Sequence, residues 1–175
     1  MDAAEIIAKC VQETDLEFLV IGGLAVIAYG YSRDTVDLDY LVRRNNRREW
    51  TAELARHGYA IFHEHDNFAQ FTSPDSIDVD LMFVNDQTFD KLWSESSLKP
   101  VGGTRVRFPA LDHLVALKLH VIKQNIPHRI IRDLDDVMNL VKLNQVDLRS
   151  DKWRELFDRH GTRQIYEQLL GPGPT

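Results

Sequence analysis

Cysteine occurs once, at Cys10, which excludes an internal disulfide framework and a multi-cysteine zinc site and fits a reducing compartment. Long apolar runs are missing as well. No segment reaches the ~18 consecutive apolar residues of a membrane span, and the acidic start, Met1 to Glu5, lacks the basic region of a secretion signal. The expected location is therefore the cytoplasm, with no membrane partner. Basic charge is also short. Lys and Arg number 21 against 27 Asp and Glu, a formal net charge of −6. A general polyanion binder is excluded, and a nucleic-acid substrate would need a local basic patch. Internal repeats and low-complexity linkers are absent.

What is present is an ordinary globular composition, 43% hydrophobic and 27% charged over 175 residues. That length suits one domain with a small helical extension, burying roughly 70% of the unfolded surface without a staple. Periodicity predicts a helix over 2–14, a buried strand over 17–21, and a short helix over 24–29 after Gly22-Gly23. A strand over 36–42 and a helix over 46–57 follow. Strands are expected at 59–63 and 68–72, turning at Asp66-Asn67, and a longer one at 76–84. A short helix near 89–93 precedes strands at 98–101 and 105–108, joined by Gly102-Gly103, a hairpin signal. After Pro109 the pattern becomes helical, over 111–124, 129–143, 151–159 and 162–170. The reading is α+β: a mixed sheet with flanking helices over 1–109, a helical segment packed on it over 110–170, and a flexible tail over 171–175.

The unusual chemistry lies in two strands. Asp37-Leu38-Asp39 puts two carboxylates on one strand face. Like charges in an apolar setting repel and lose solvation, so a cation should offset them, and hard oxygen donors suit Mg²⁺ or Mn²⁺. Asp78-Val79-Asp80 repeats the pattern. Were the two strands neighbours, three or four carboxylates would converge, enough for two metals roughly 3.5–4 Å apart. Gly22-Gly23, where a strand enters a helix, lets backbone approach a phosphate.

Gly22-Gly23, then Asp37-Leu38-Asp39, then a later strand bearing Asp78 and Asp80, resembles the nucleotidyltransferase superfamily related to DNA polymerase β. The likeness is closest to the AbiEii-like group of abortive-infection toxins and bacterial proteins. It runs over roughly residues 17–142 and extends to a helical Leu114-Val115-Ala116-Leu117-Lys118 and an Arg129 to Asp136 cluster. The resemblance implies transfer of an NMP from an NTP to an acceptor hydroxyl on RNA, tRNA or protein, with a toxin–antitoxin role and an antitoxin partner. Asp37 and Asp39 would hold the metals, with Asp80 or Asp78 as third carboxylate and proton acceptor. Gly22, Gly23, Arg33, Lys118 and Asp136 would bind nucleotide. A small-molecule acceptor such as an antibiotic, or a silent nucleotide- or partner-binding module of the same fold, are the alternatives.

Other features read two ways. Lys118 lies on the apolar stripe of Leu111, Leu114, Val115 and Ile122, where a lysine needs an anion or a route to solvent; an NTP phosphate would serve. On the next helix Arg129, Asp133 and Asp136 share one face, opposite an apolar face of Ile130, Leu134, Val137 and Val141. Asp133, Asp135 and Asp136 otherwise read as an exposed face paired with Arg129 and Arg132. Arg43, Arg44, Arg47 and Arg48 form a solvated loop or an RNA contact. His63 and His65 share a strand face but lack an evident third ligand, and read as exposed strand-end histidines. Phe62, Phe68 and Phe71 read as hairpin packing.

Overall fold

The computed structural model describes residues 15–74, 76–124 and 127–171; the helix expected over 2–14 lies outside them, as does the tail beyond Gly171. Two compact units divide the chain. One takes the chain up to Ala28 and from Arg33 to Ala110, and the other takes Tyr29–Ser32 and everything from Leu111 on.

The first unit is built on five strands: β1 (Phe18–Val20), β2 (Asp37–Arg43), β3 (Ala60–His65), β4 (Phe68–Ser73) and β5 (Ser76–Val84). Their order in the sheet is β1-β2-β5-β4-β3. β5 runs parallel to β2, and the other pairings are antiparallel, so the sheet is mixed. A parallel neighbour requires a long connection. Here it carries a 3-10 turn (Arg44–Asn46), helix α2 (Arg47–Arg56) and the whole β3–β4 hairpin, which lands outside β5. Alternation sets the faces. Leu38 and Tyr40 on β2, Phe71 on β4, and Val79, Leu81 and Phe83 on β5 are buried. The aspartates between them stay half-buried on the opposite face.

Helix α1 (Gly22–Ala28) and helix α3 (Asp86–Ser94) complete this unit with a separate two-stranded sheet, β6 (Ser97–Val101) and β7 (Thr104–Phe108). Asn85 caps α3, its side chain accepting from Thr88 N at 2.8 Å, so the helix begins earlier than its apolar residues suggest. Gly102 takes φ 56°, the left-handed turn the Gly-Gly pair was expected to supply. The core gathers Phe18, Tyr40 and Trp50, with ring centroids 4.8–6.0 Å apart.

The second unit holds α4 (Leu111–Lys123), α5 (Pro127–Leu143), α6 (Asp151–His160) and α7 (Arg163–Leu170). Tyr29–Ser32 belongs here because Tyr31 donates to Asp135 Oδ2 at 2.5 Å and Asn144 donates to the Tyr29 carbonyl at 3.0 Å. The α5 burial departs in part from its expected apolar face. Val137 and Val141 are buried as expected, but Ile130 and Leu134 are only half-buried, while Asp133 and Asp136 are buried at 3% and 0% exposure. The cause is Lys118 on α4, whose Nζ lies 2.9 Å from Asp133 Oδ1 and 2.6 Å from Asp136 Oδ2. A buried lysine needs anionic partners, so α5 buries Asp133 and Asp136 together with Val137 and Val141. Asp135, by contrast, is exposed. No helix among the described residues is long and apolar enough to cross a membrane.

Candidate active site

Register makes the site. Parallel pairing sets Asp37 opposite Asp78 and Asp39 opposite Asp80. Residues directly paired across a sheet share a face, so all four carboxylates stand on the open face. Asp37, Asp39 and Asp80 each offer an oxygen, and the three oxygens lie within 4.8 Å of one another. Asp78 shares the face beside them without joining that group.

Gly22 shows why a glycine precedes the site. Ile21 N donates to Asp39 O at 2.9 Å, pinning the end of β1 to the centre of β2. The chain then turns into α1 with Gly22 at φ 59°, in the left-handed region. A Cβ there would lie 1.8 Å from Asp39 Oδ2 and 2.3 Å from its Cγ. At Gly23 a Cβ would lie 2.3 Å from Thr35 Oγ1 and 3.2 Å from a terminal guanidinium nitrogen of Arg33. The glycine pair was expected to open space for a phosphate. Part of the space it opens is filled by the Asp39 carboxylate and the Thr35 hydroxyl, which bring α1, β2 and the preceding loop together.

Thr35 is the residue that sequence reasoning passed over. Its Oγ1 lies 3.2 Å from Asp37 Oδ1 and 3.3 Å from Asp37 O, donating to either. It orients the first carboxylate of the group. The local signal was a Thr two residues before an Asp, a spacing suited to a hydroxyl turn. Arg33 is half-buried beside it and donates to the Asp34 carbonyl at 2.8 Å.

Lys118 and Asp136 belong to the helical unit, where each meets the other as described. The anion that Lys118 requires is thus present in its own unit as Asp133 and Asp136. Arg129 Nε stands 3.7 Å from Asp133. Of the basic run, Arg43 sits 2.9 Å from Glu17 and 2.7 Å from Asp90. Arg47 is 2.7 Å from Glu64, and Arg44 donates to Asn67.

Chemically, three converging carboxylate oxygens form a hard donor set on a solvent-reachable face, and this fits Mg²⁺ or Mn²⁺ better than a thiophilic ion. The empty volume where Gly22 lacks a Cβ is what lets Asp39 turn into the group.

A five-stranded mixed sheet flanked by helices, with paired aspartates on adjacent parallel strands, is the nucleotidyltransferase fold. Solved structures agree. The antibiotic-resistance factor ANT(2'')-Ia aligns at a TM-score of 0.64 with 16% identity, covering 95% of this chain and 91% of its own. The lincosamide antibiotic adenylyltransferase LnuA, solved with lincomycin bound, aligns at 0.58 with 14% identity, covering 78% and 94%. An antigenic nucleotidyltransferase-like protein from Paracoccidioides brasiliensis aligns at 0.55 with 12% identity, covering 89% and 84%. No family model and no curated protein matches the sequence.

Proposed function

We propose that this chain is a metal-dependent nucleotidyltransferase that moves an NMP from an NTP to an acceptor hydroxyl. The observation that carries the reading is the convergence of Asp37, Asp39 and Asp80 within 4.8 Å beneath Gly22. Asp37 and Asp39 would hold the divalent ions, with Asp80 completing the set. Bound there, such ions supply charge neutralisation at the reacting phosphate.

The chain's own residues do the rest. Thr35 holds Asp37 in its orientation. The Gly22-Gly23 turn and Arg33 face the phosphates. The acceptor oxygen forms a bond to the α-phosphorus as the bond to pyrophosphate breaks in line, and the hydroxyl proton passes to a carboxylate. We assign that proton to Asp80 rather than Asp78, because Asp80 belongs to the converging group. Lys118 and Asp136, which the resemblance links to nucleotide, are assigned here to the ion cluster of the helical unit.

The resemblance favours an RNA, tRNA or protein acceptor, with an antitoxin neutralising the enzyme. A second reading, a small-molecule acceptor, has support of its own. The chain covers 95% of the length of a solved ANT(2'')-Ia that carries adenylyl-2''-tobramycin, so a protein of this extent suffices for antibiotic modification there. Incubation with each α-³²P-labelled NTP and Mg²⁺ or Mn²⁺ tests both. Total RNA and protein are offered in one arm, and aminoglycosides and lincosamides in the other. The Asp37→Ala/Asp39→Ala double variant runs alongside. Label transferred by the wild type alone supports the reading and names the acceptor. NTP binding without transfer to any acceptor would make the chain a binding module. Growth arrest on expression, relieved by a co-expressed partner, would mark the toxin role.

A further inference from the structure

The open face that carries the aspartates continues across the sheet to its edge. Asp39 pairs with Asp80, Asp80 with Gln70, and Gln70 with His63. Directly paired residues share a face, so one row crosses four strands from the acidic group to β3, with His63 about two strand spacings, ~10 Å, from Asp80. Every residue of β3 is exposed.

His63 and His65 stand side by side on that edge. Their Nε2 atoms face each other at 2.9 Å, with ring centroids 4.4 Å apart and planes at 87°. Between them Glu64 points to the other face, held by Arg47 at 2.7 Å. At this separation one ring's N–H donates to the other ring's nitrogen, and the same two nitrogens can instead take a cation. Metal–imidazole bonds run about 2.0–2.1 Å. Two such bonds at a right angle put the nitrogens about 2.9 Å apart, whereas a tetrahedral angle needs about 3.3 Å. The observed 2.9 Å is the distance of a ring–ring hydrogen bond and lies close to both values; the choice of copper(II) or nickel(II) rests on imidazole donors and on the affinity order of divalent ions, which peaks at copper.

We propose that His63 and His65 form a chelating site for a copper(II)- or nickel(II)-class cation at the edge of the open face. It is separate from the oxygen-donor group on β2 and β5. The cation takes the place of the hydrogen bond between the rings, and water fills its other positions. The pair is preset by β-strand geometry, since residues i and i+2 project together, so little ordering is needed on binding.

Titration of the untagged full chain with CuSO₄, read by calorimetry and by electron paramagnetic resonance, tests this. One equivalent should bind with a two-nitrogen signature. His63→Gln or His65→Gln should each weaken binding by roughly tenfold or more, through loss of one of two coordinate bonds. Both positions are exposed, so unchanged thermal midpoints would show that the variants fold. Affinity should persist in 10-fold excess Mg²⁺ and in the Asp37→Asn/Asp39→Asn variant. Equal affinity in wild type and both histidine variants would overturn the proposal, as would displacement by Mg²⁺ or loss in the aspartate variant. None of these results depends on whether the chain transfers nucleotides.

Discussion

Replacing Gly22 by Ala tests the geometry of the acidic group most directly. The added Cβ would sit 1.8 Å from Asp39 Oδ2. Ordinary contact begins near 3.4 Å, so the carboxylate must retreat by about 1.6 Å or the turn must open (3.4 − 1.8). Opening is resisted, because the Ile21 N to Asp39 O bond ties the same two segments together. Alanine at a φ of 59° also costs about 1–2 kcal/mol of backbone strain. With the displaced carboxylate, a total near 1–3 kcal/mol is expected, or a midpoint lowered by about 2–12 °C for a chain of this size. The functional loss should be larger in proportion. A displacement of about 1 Å at a reacting centre costs about 10²-fold in rate, so transfer should fall at least that far. The paired assay is a thermal-shift titration with Mn²⁺ and a labelled-NTP transfer assay on the same preparations. The Gly22→Ala protein should melt lower and lose the Mn²⁺-induced rise. Wild-type melting, Mn²⁺ response and turnover in this variant would refute the placement of Asp39 under Gly22.

Three further outcomes follow from the same geometry. Lys118→Met strands two buried carboxylates and should destabilise by about 3–5 kcal/mol, only partly recovered in Lys118→Met/Asp136→Leu, which leaves Asp133 buried with Arg129 alone 3.7 Å away, by chemical denaturation; a raised KM for NTP with an unchanged midpoint would instead assign the ammonium to nucleotide. Thr35→Val removes the hydroxyl 3.2 Å from Asp37 Oδ1 and should weaken Mn²⁺ binding by about 10–100-fold while moving stability by only about 1 kcal/mol, by calorimetry and melting. Burial pushes the Asp112 carboxyl up, but the Lys152 ammonium 2.7 Å away, with His113 adding to it, holds it below the usual range. Its folded value being the lower, the stabilisation is complete above the unfolded value near 3.9 and lost as pH falls through the folded one. Asp112→Asn should therefore flatten the acid limb of a stability–pH curve below about pH 4 and leave its shape near neutrality unchanged.

Local pattern was enough to read the strands that carry chemistry. Two-residue alternation in Asp37-Leu38-Asp39 and Asp78-Val79-Asp80 fixes which face each aspartate takes, whatever the strands pair with. Pairing itself is non-local, so the convergence of Asp80 rather than Asp78 with the first pair had no trace in either segment. The parallel register of β2 on β5, set across a connection holding a helix and a hairpin, brings both Asp78 and Asp80 beside the first pair, and side-chain placement then gathers Asp80. The α5 helix shows the opposite limit. Its apolar stripe was plain and Val137 and Val141 are buried, but the burial of Asp133 and Asp136 against Lys118 on α4 is a tertiary ion contact that no window within α5 encodes. The Arg43 to Arg48 run shows a related limit: the partners of Arg43 and Arg47, namely Glu17, Asp90 and Glu64, come from other parts of the chain.

The register also implies a conflict between stability and chemistry. Like charges directly opposite in a sheet are destabilising, and β2 and β5 place two such pairs two residues apart. A sheet selected for stability alone would fill these positions with threonine or alternate the sign. The ladder therefore has its explanation in what it gathers, and its repulsion should be relieved by whatever cation it gathers. A sign reversal is therefore expected. Asp37→Asn should raise the melting midpoint in EDTA, because it removes one of the repelling pairs. In saturating Mn²⁺ it should melt below wild type, because it has lost a ligand. A variant that melts below wild type under both conditions would mean that Asp37 stabilises the strand through its bond to Thr35 more than its charge strains it. The acidic ladder would then be a structural feature of this sheet rather than a site held in readiness for metal.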